Sequence, residues 1–255
     1  MLYDAPESTL RTGSIFKNDS EYISYLLMKY IQEDGAPVGA WTLREKLLAH
    51  GIDRGTATIG RYLKSLDSQD YTITQGNQGR LLTPRGVTRL HQIEKALQEV
   101  EVQNFLTATT QIHEYQDLID LLYVRRLLET ETAALAAEYA TEGELKQLQS
   151  ALEAHERCVA LNSDPTETAL IFHQTIADIC HNKFLQALMQ FLIYKETEIE
   201  CTIESLVSRE LGPAYVVEHE AITKAICSHD AKKAGQLMSQ HVYTIYSDVD
   251  QSVRI

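Results

Sequence analysis

Three histidines in the second half of the chain, His173, His219 and His241, have the residue type and spacing of a metal site. Each lies in a separate helical segment and shares a helix face with apolar residues, so all three are predicted to point into one helical bundle. A single buried histidine is more often a hydrogen-bonded core residue than a ligand. Three imidazoles on separate helices can instead converge as a His₃ set with one position open for water or a carboxylate. The spacing alone leaves both interpretations open.

Arg125 is a second candidate, because it is a charged residue in an otherwise apolar helical segment that ends in the run Ala133–Ala137. A buried arginine needs a carboxylate or phosphate partner, which a bound ligand can supply. The competing interpretation is an internal ion pair with Glu129, four residues further along the same helix.

Residues 56–67 have the pattern of a DNA-recognition helix. Ile59, Leu63 and Leu66 recur on one face, which places Arg61 and Lys64 on the opposite face. An arginine there can reach a guanine edge in the major groove, and hydroxyl groups at a helix start suit phosphates. A solvated charged face is the alternative. The predicted DNA contacts are Arg54, Thr56, Thr58, Arg61, Lys64 and, in the following hairpin, Arg80.

These contacts need a small scaffold, and the pattern over 20–86 predicts a winged helix-turn-helix. Helices are predicted at 21–34, 42–50 and 56–67, and β-prone residues at 71–74 and 80–83 flank a Gly-rich turn. Ser20 is expected to cap the first helix, and Thr42 with Glu45 is expected to form a capping box at the second. Leu43, Leu47 and Leu48 are predicted to point inward.

The rest of the chain must hold the histidines, and it is predicted to be an all-α antiparallel bundle. Helices are predicted at 115–140, 143–161, 166–181, 183–207, 214–228 and 231–247, with breaks such as Gly212-Pro213. The fold class is therefore mainly α. The predicted organisation is a flexible N-terminal arm (1–19), the winged helix-turn-helix (20–86), a linker helix (87–114) and a helical effector-binding domain (115–250).

The charge distribution, hydropathy and cysteine spacing of the chain narrow the classes of function that it can have. The 255 residues carry a net charge of −13, yet residues 1–100 are neutral and residues 44–89 hold 8 basic against 4 acidic residues. This imbalance is compatible with a nucleic-acid module joined to an acidic domain. No apolar run of transmembrane length and no signal-peptide pattern occurs, and the four cysteines lack CxxC spacing. We therefore expect a cytoplasmic protein with reduced thiols.

A series of motifs runs in order through the bundle: Val124–Ala137, Phe172-His173, Ile176–Asn182, His219–Ile226, Asp230 and Met238–His241. Together they resemble the FCD ligand-binding domain of FadR-type GntR-family transcription regulators over about 117–245. The resemblance implies a cavity with a divalent metal, zinc or nickel, held by His173, His219 and His241. It also implies a small carboxylate effector near Arg125, Glu129 and Asn182. The family has an aspartate four residues before its first histidine, where this chain has Ala169.

The N-terminal part differs from the usual GntR pattern. The stretches Gly35–Gly39, Thr58–Leu66 and Gly79–Gly86 are more similar to the winged helix of ribonuclease R and archaeal nitrogen-regulator proteins.

Taken together, the sequence predicts a transcription regulator and not an enzyme. A homodimer is expected to bind a double-stranded DNA operator through its winged helices and to sense a small organic acid in its bundle, without a membrane partner. The alternative is a metal-dependent hydrolase tethered to nucleic acid by its winged helix.

Overall fold

The structure, a computed structural model, describes residues 15–198 and 204–253. The chain divides into two compact units, which meet in sequence between Thr109 and Thr110. None of the helices in the described ranges combines the length and apolarity needed to cross a bilayer. Cys158, Cys180 and Cys227 are free thiols, whereas Cys201 lies outside the described residues.

The first unit is a winged helix-turn-helix, as predicted. Its elements are α1 (Asp19–Asp34), α2 (Ala40–Ala49), α3 (Thr56–Ser68), β1 (Thr72–Thr74), β2 (Arg80–Leu82) and α4 (Pro84–Thr109). The two strands pair antiparallel, with Thr72 opposite Leu82 and Thr74 opposite Arg80. Ile59, Leu63 and Leu66 of α3 are buried, so the opposite face of this helix is the outward one.

Two helix starts differ from the prediction. Asn18, not Ser20, caps α1 by accepting a hydrogen bond from the Glu21 amide at 3.0 Å. The capping box predicted at Thr42 does not form, because α2 already begins at Ala40. Val38 is held to β2 by two backbone hydrogen bonds of 3.0 Å, so the chain enters the helix directly after this bridge.

The same unit corrects two further predictions. Leu48 is 43% exposed, because the buried face of α2 follows Leu43 and Leu47 only. A flexible arm is predicted over residues 1–19, of which residues 1–14 lie outside the described part of the chain. Its last part belongs to the folded unit, since the buried Phe16 ring packs 5.3 Å from the ring of Tyr22.

The second unit is a helical bundle, as predicted. Its helices are α5 (Tyr115–Tyr139), α6 (Glu142–Ala160), α7 (Thr166–Asp178), α8 (Lys183–Glu198), α9 (Glu204–Cys227) and α10 (Ala231–Val253). The predicted break at Gly212-Pro213 is wrong, because Pro213 lies inside α9. Packing on both sides holds the helix together there: Gly212 faces Val159, and the Tyr215 hydroxyl donates to Asp248 at 2.8 Å.

Arg80, which is predicted to contact DNA, joins the hairpin to α3 in this structure. Its Nε donates to both oxygens of Asp67 at 3.0 Å, and its Nη2 donates to Oδ2 at 2.8 Å. The Thr72 hydroxyl donates to the same carboxylate at 2.6 Å. Burial alone would raise the pKa of Asp67, but the hydrogen bonds from Arg80 and Thr72 outweigh burial and lower it. The guanidinium is therefore committed to the fold.

We expect Arg80→Ala to lower the free energy of unfolding by about 1–2 kcal/mol, since a bidentate and largely buried pair is lost. Because the pKa of Asp67 is lowered on folding, this contribution is complete above about pH 4 and disappears as the pH falls further. Urea unfolding at pH 7 and pH 3 measures both effects. Arg89→Ala, at an exposed position of α4, is the control and should change stability by less than about 0.5 kcal/mol. Equal stability of wild type and Arg80→Ala at pH 7 would contradict the assignment.

Candidate functional site

The bundle brings the three predicted histidines together. His173 of α7, His219 of α9 and His241 of α10 are each at most 2% exposed. The Nε2 atom of His241 lies 2.9 Å from Nε2 of His219 and 3.3 Å from Nε2 of His173. One ring nitrogen from each residue lies within 4.8 Å of the others.

This spacing fits a single divalent ion. Two nitrogen ligands at 2.0–2.1 Å from a tetrahedral zinc ion lie roughly 3.3 Å apart. Imidazole nitrogen also suits nickel. The residues present therefore match the chemistry of the implied metal, and each of them would contribute its Nε2 lone pair.

Two carboxylates orient these rings. Glu129 of α5 binds Nδ1 of His173, and Glu218 of α9 binds Nδ1 of His241 at 2.6 Å. A ligating histidine commonly donates its other N–H to such a partner, which fixes the tautomer and leaves Nε2 free for the metal. Glu218 was missed by the sequence analysis; its only signal is its position next to His219.

A fourth histidine, His155 of α6, belongs to the same cluster and was also missed. It is 1% exposed, and its ring centroid lies 5.0 Å from that of His219. His219 also stacks on Phe172, with centroids 4.1 Å apart. The available signal was helical spacing, because His155 continues the buried face of Leu148 and Leu152.

The cluster favours neutral imidazoles. Burial lowers the pKa of His155 to about 4, and nearby imidazoles add to the effect. Burial also lowers the pKa of His219 and of His241, although the hydrogen bond from His241 to Glu218 opposes the shift. Neutral imidazole is the form that binds a metal.

Arg125 is engaged by the protein itself. Its Nε donates to Glu129 at 2.6 Å, and its Nη1 donates to Glu196 of α8. All three side chains are 1% exposed. Burial would raise the pKa of Glu129, but Arg125 and His173 hold it at about 2. The internal pair with Glu129 therefore forms, and Glu196 adds a second carboxylate that the sequence analysis did not predict.

A small cavity adjoins the cluster. Its lining residues are Arg125, Thr166, Ala169, Leu170, His173, Glu196, Tyr215, His219, His241 and Ile245. Ala169 thus faces the histidines, at the position where the resemblance implies an aspartate. Asn182 is not among these lining residues, because its side chain caps α8 by accepting from the amides of Phe184 and Leu185 at 3.1 and 3.3 Å. The effector role of Asn182 stays a prediction, and the contacts of its side chain in this structure are those of a helix cap.

The first unit presents the predicted recognition face on α3. Arg61 and Lys64 are exposed, and Arg61 donates to the Thr58 hydroxyl at 3.0 Å, which extends its guanidinium along the helix. Thr56 is the exposed first residue of the helix. Arg54 precedes it, with Nη2 3.6 Å from the exposed carboxylate of Asp19.

We expect the metal-free protein to lose stability as the pH falls from 7.5 to 5.5. Unfolded imidazoles take up protons near pH 6.5, whereas folding lowers the pKa of His155, His219 and His241. Stability from these groups is therefore complete above about pH 7 and declines below it. Urea unfolding with a chelator present measures the decline, which should be smaller in His155→Gln. A free energy of unfolding that is flat or rises toward pH 5.5 would contradict this expectation.

Comparison with known proteins gives two family matches. The FCD domain family matches residues 120–244, and the ribonuclease R winged-helix domain family matches residues 25–90. The transcriptional regulator LutR of Bacillus subtilis (strain 168) is 31% identical over 133 residues, which are 51% of this chain and 61% of LutR. The transcriptional repressor NanR of Enterobacter sp. (strain 638) is 21% identical over 90% of this chain and 84% of NanR.

A third relative is matched over about half of its own length. The Uxu operon regulator of Haemophilus influenzae is 29% identical over 52% of this chain and 53% of its own length. The chain therefore spans about three fifths of LutR and about half of the Uxu regulator. Among solved structures, Streptococcus agalactiae GntR covers 89% of this chain and 99% of itself, with 20% identity and a TM-score of 0.48. The two matches identify the chain as an FCD-domain protein in which a winged helix precedes the FCD domain, as the resemblance to FadR-type GntR-family regulators implied.

Proposed function

We propose that this protein is a homodimeric, operator-binding regulator that senses a small organic acid through a bound divalent metal. In this proposal residues 20–86 bind DNA, 87–114 connect the units, and 115–250 bind the effector. The convergence of three buried Nε2 atoms in an FCD domain is the observation that carries the sensor. The matched relatives are described as transcription regulators, which favours this function over the metal-dependent hydrolase.

The DNA half of the proposal rests on α3. Its buried face packs into the core, so Arg61 and Lys64 lie outward on a helix that can enter the major groove. Arg61 has the geometry to read a guanine edge, while Lys64 and the Thr56 hydroxyl suit phosphates. Two such units in a homodimer match two operator half-sites.

We expect Arg61→Ala to weaken specific operator binding about 10- to 100-fold, equivalent to about 1–3 kcal/mol, and to relax base preference at one position. Lys64→Ala should weaken binding to all sequences and reduce the salt dependence, as loss of a phosphate contact does. Fluorescence anisotropy with an operator selected from random DNA measures both, and Arg89→Ala serves as the basic control. Wild-type operator affinity in Arg61→Ala would contradict the recognition-helix assignment.

The sensor half rests on the histidine cluster. His173, His219 and His241 would hold the metal, and Glu129 and Glu218 would hold two of the rings in the ligating tautomer. When bound, the ion supplies a Lewis-acidic position for an anionic oxygen donor. Ala169 contributes no ligand atom, so the fourth coordination position of the ion would be left to water or an effector.

Arg125 constrains how an effector binds. Its guanidinium already contacts Glu129 and Glu196, so an effector carboxylate reaches Arg125 only by replacing one of them. Glu129 also orients His173, whereas the Glu196 carboxylate bonds only to Arg125 among the residues that the structure describes. Glu196 is therefore the carboxylate that an organic acid displaces in this proposal.

We expect Glu196→Gln to bind organic acids about tenfold more tightly than wild type, because the competing carboxylate on Arg125 is removed. Calorimetry of the zinc-loaded protein with acids ranging from acetate to citrate measures this change. Glu153→Gln, at an exposed position of α6, is the matched control and should behave as wild type. Two results would contradict the proposal that an organic acid competes with Glu196 for Arg125. One is that no acid binds either protein, and the other is that Glu196→Gln weakens the binding seen in wild type.

A further inference from the structure

The three clustered histidines differ in how their second nitrogens are held. Nδ1 of His173 and Nδ1 of His241 each contact a carboxylate, as described above. Nδ1 of His219 is buried and has no hydrogen-bond partner among the described residues. If His219 binds a metal through Nε2, its Nδ1 must carry a proton that needs an acceptor.

The tautomer of His155 is fixed by its neighbours. Its Nδ1 lies 3.1 Å from the Thr168 hydroxyl oxygen, and that hydroxyl donates to the carbonyl oxygen of Pro165 at 2.8 Å. A hydroxyl has one proton, so Thr168 accepts from His155 and Nδ1 of His155 is the donor. Nε2 of His155 is therefore a bare acceptor.

This acceptor is also without a partner. Nε2 of His155 is buried and makes no hydrogen bond within the described ranges. The two rings are adjacent, with centroids 5.0 Å apart and planes inclined at 48°. Rings at this separation are close enough for two nitrogens that point toward each other to reach hydrogen-bond distance, roughly 3 Å. With a metal on Nε2 of His219, a donor that lacks an acceptor would therefore lie beside an acceptor that lacks a donor.

We propose that His155 is the positioning residue of His219. In this arrangement the hydrogen bonds run from His219 Nδ1 to His155 Nε2, from His155 Nδ1 to Thr168, and from Thr168 to Pro165. The chain holds His219 in the tautomer whose Nε2 lone pair faces His173 and His241. His155 thus provides the hydrogen-bond acceptor for the ring of His219, as Glu129 and Glu218 do for the other two rings. Unlike these carboxylates, a neutral imidazole adds no charge. The inference rests on the proposed metal site.

Zinc affinity of the full chain tests this role. His155→Phe keeps a ring of similar size but removes the acceptor, so zinc binding measured by chelator competition should weaken about 10- to 100-fold. His155→Gln retains an acceptor oxygen and should recover most of the affinity. His229→Phe, which alters another histidine of the bundle with its Nδ1 on Ala137, is the control and should bind zinc as wild type does. Wild-type zinc affinity in His155→Phe would overturn the proposal.

Nitrogen-15 NMR of labelled histidine gives a readout that does not depend on folding stability. The metal-free protein should show His155 in the Nδ1–H tautomer, and zinc loading should add a slowly exchanging proton on Nδ1 of His219. His155 in the Nε2–H tautomer would overturn the proposal even if zinc binds. Failure of wild type to bind zinc would instead overturn the proposed metal site, and the His155 tautomer would still decide whether the hydrogen-bond chain exists.

Discussion

The helical bundle depends on the hydrogen bonds that the buried carboxylate of Glu129 accepts. This carboxylate accepts from Arg125 on its own helix and from His173 on α7, and Arg125 in turn contacts Glu196 on α8. Glu129 thus joins α5 to α7, and Arg125 joins α5 to α8, so one buried network holds three helices together. Removing a partner of such a pair leaves a buried charge uncompensated and typically costs about 3–5 kcal/mol. The same contact orients the first histidine, so stability and site geometry share one cause.

The histidine cluster shows what a sequence can and cannot predict about a site. His173, His219 and His241 were found because a buried helix face repeats about every 3.6 residues, and each histidine interrupts such a face. Glu196 and His155 were missed because their partners lie on other helices, and the spacing within one helix does not encode those contacts. Asn182 was assigned to the effector by resemblance, yet the start of α8 uses its side chain as a cap.

Local signals in the winged unit were overridden in the same way. The order of three helices and a hairpin was predicted correctly, but the bridge from Val38 to β2 set the start of α2 ahead of the capping residues at 42–45. In the bundle, Pro213 reads as a helix break, yet packing around Gly212 and Tyr215 keeps α9 continuous. Propensity gives way wherever tertiary contacts supply more free energy than a cap or a proline costs.

The commitment of Arg80 to Asp67 leaves the hairpin tip without charge, since Gln75–Gly79 contains only glutamine, glycine and asparagine. Each phosphate that a cation contacts releases condensed counterions and steepens the dependence of log K on log salt concentration by about 0.9. A wing with a free arginine would add that increment once per subunit. On the proposed operator this wing would add none, so we expect the salt exponent of the proposed dimer to be smaller by about 1.8 than that of a dimer with two such arginines.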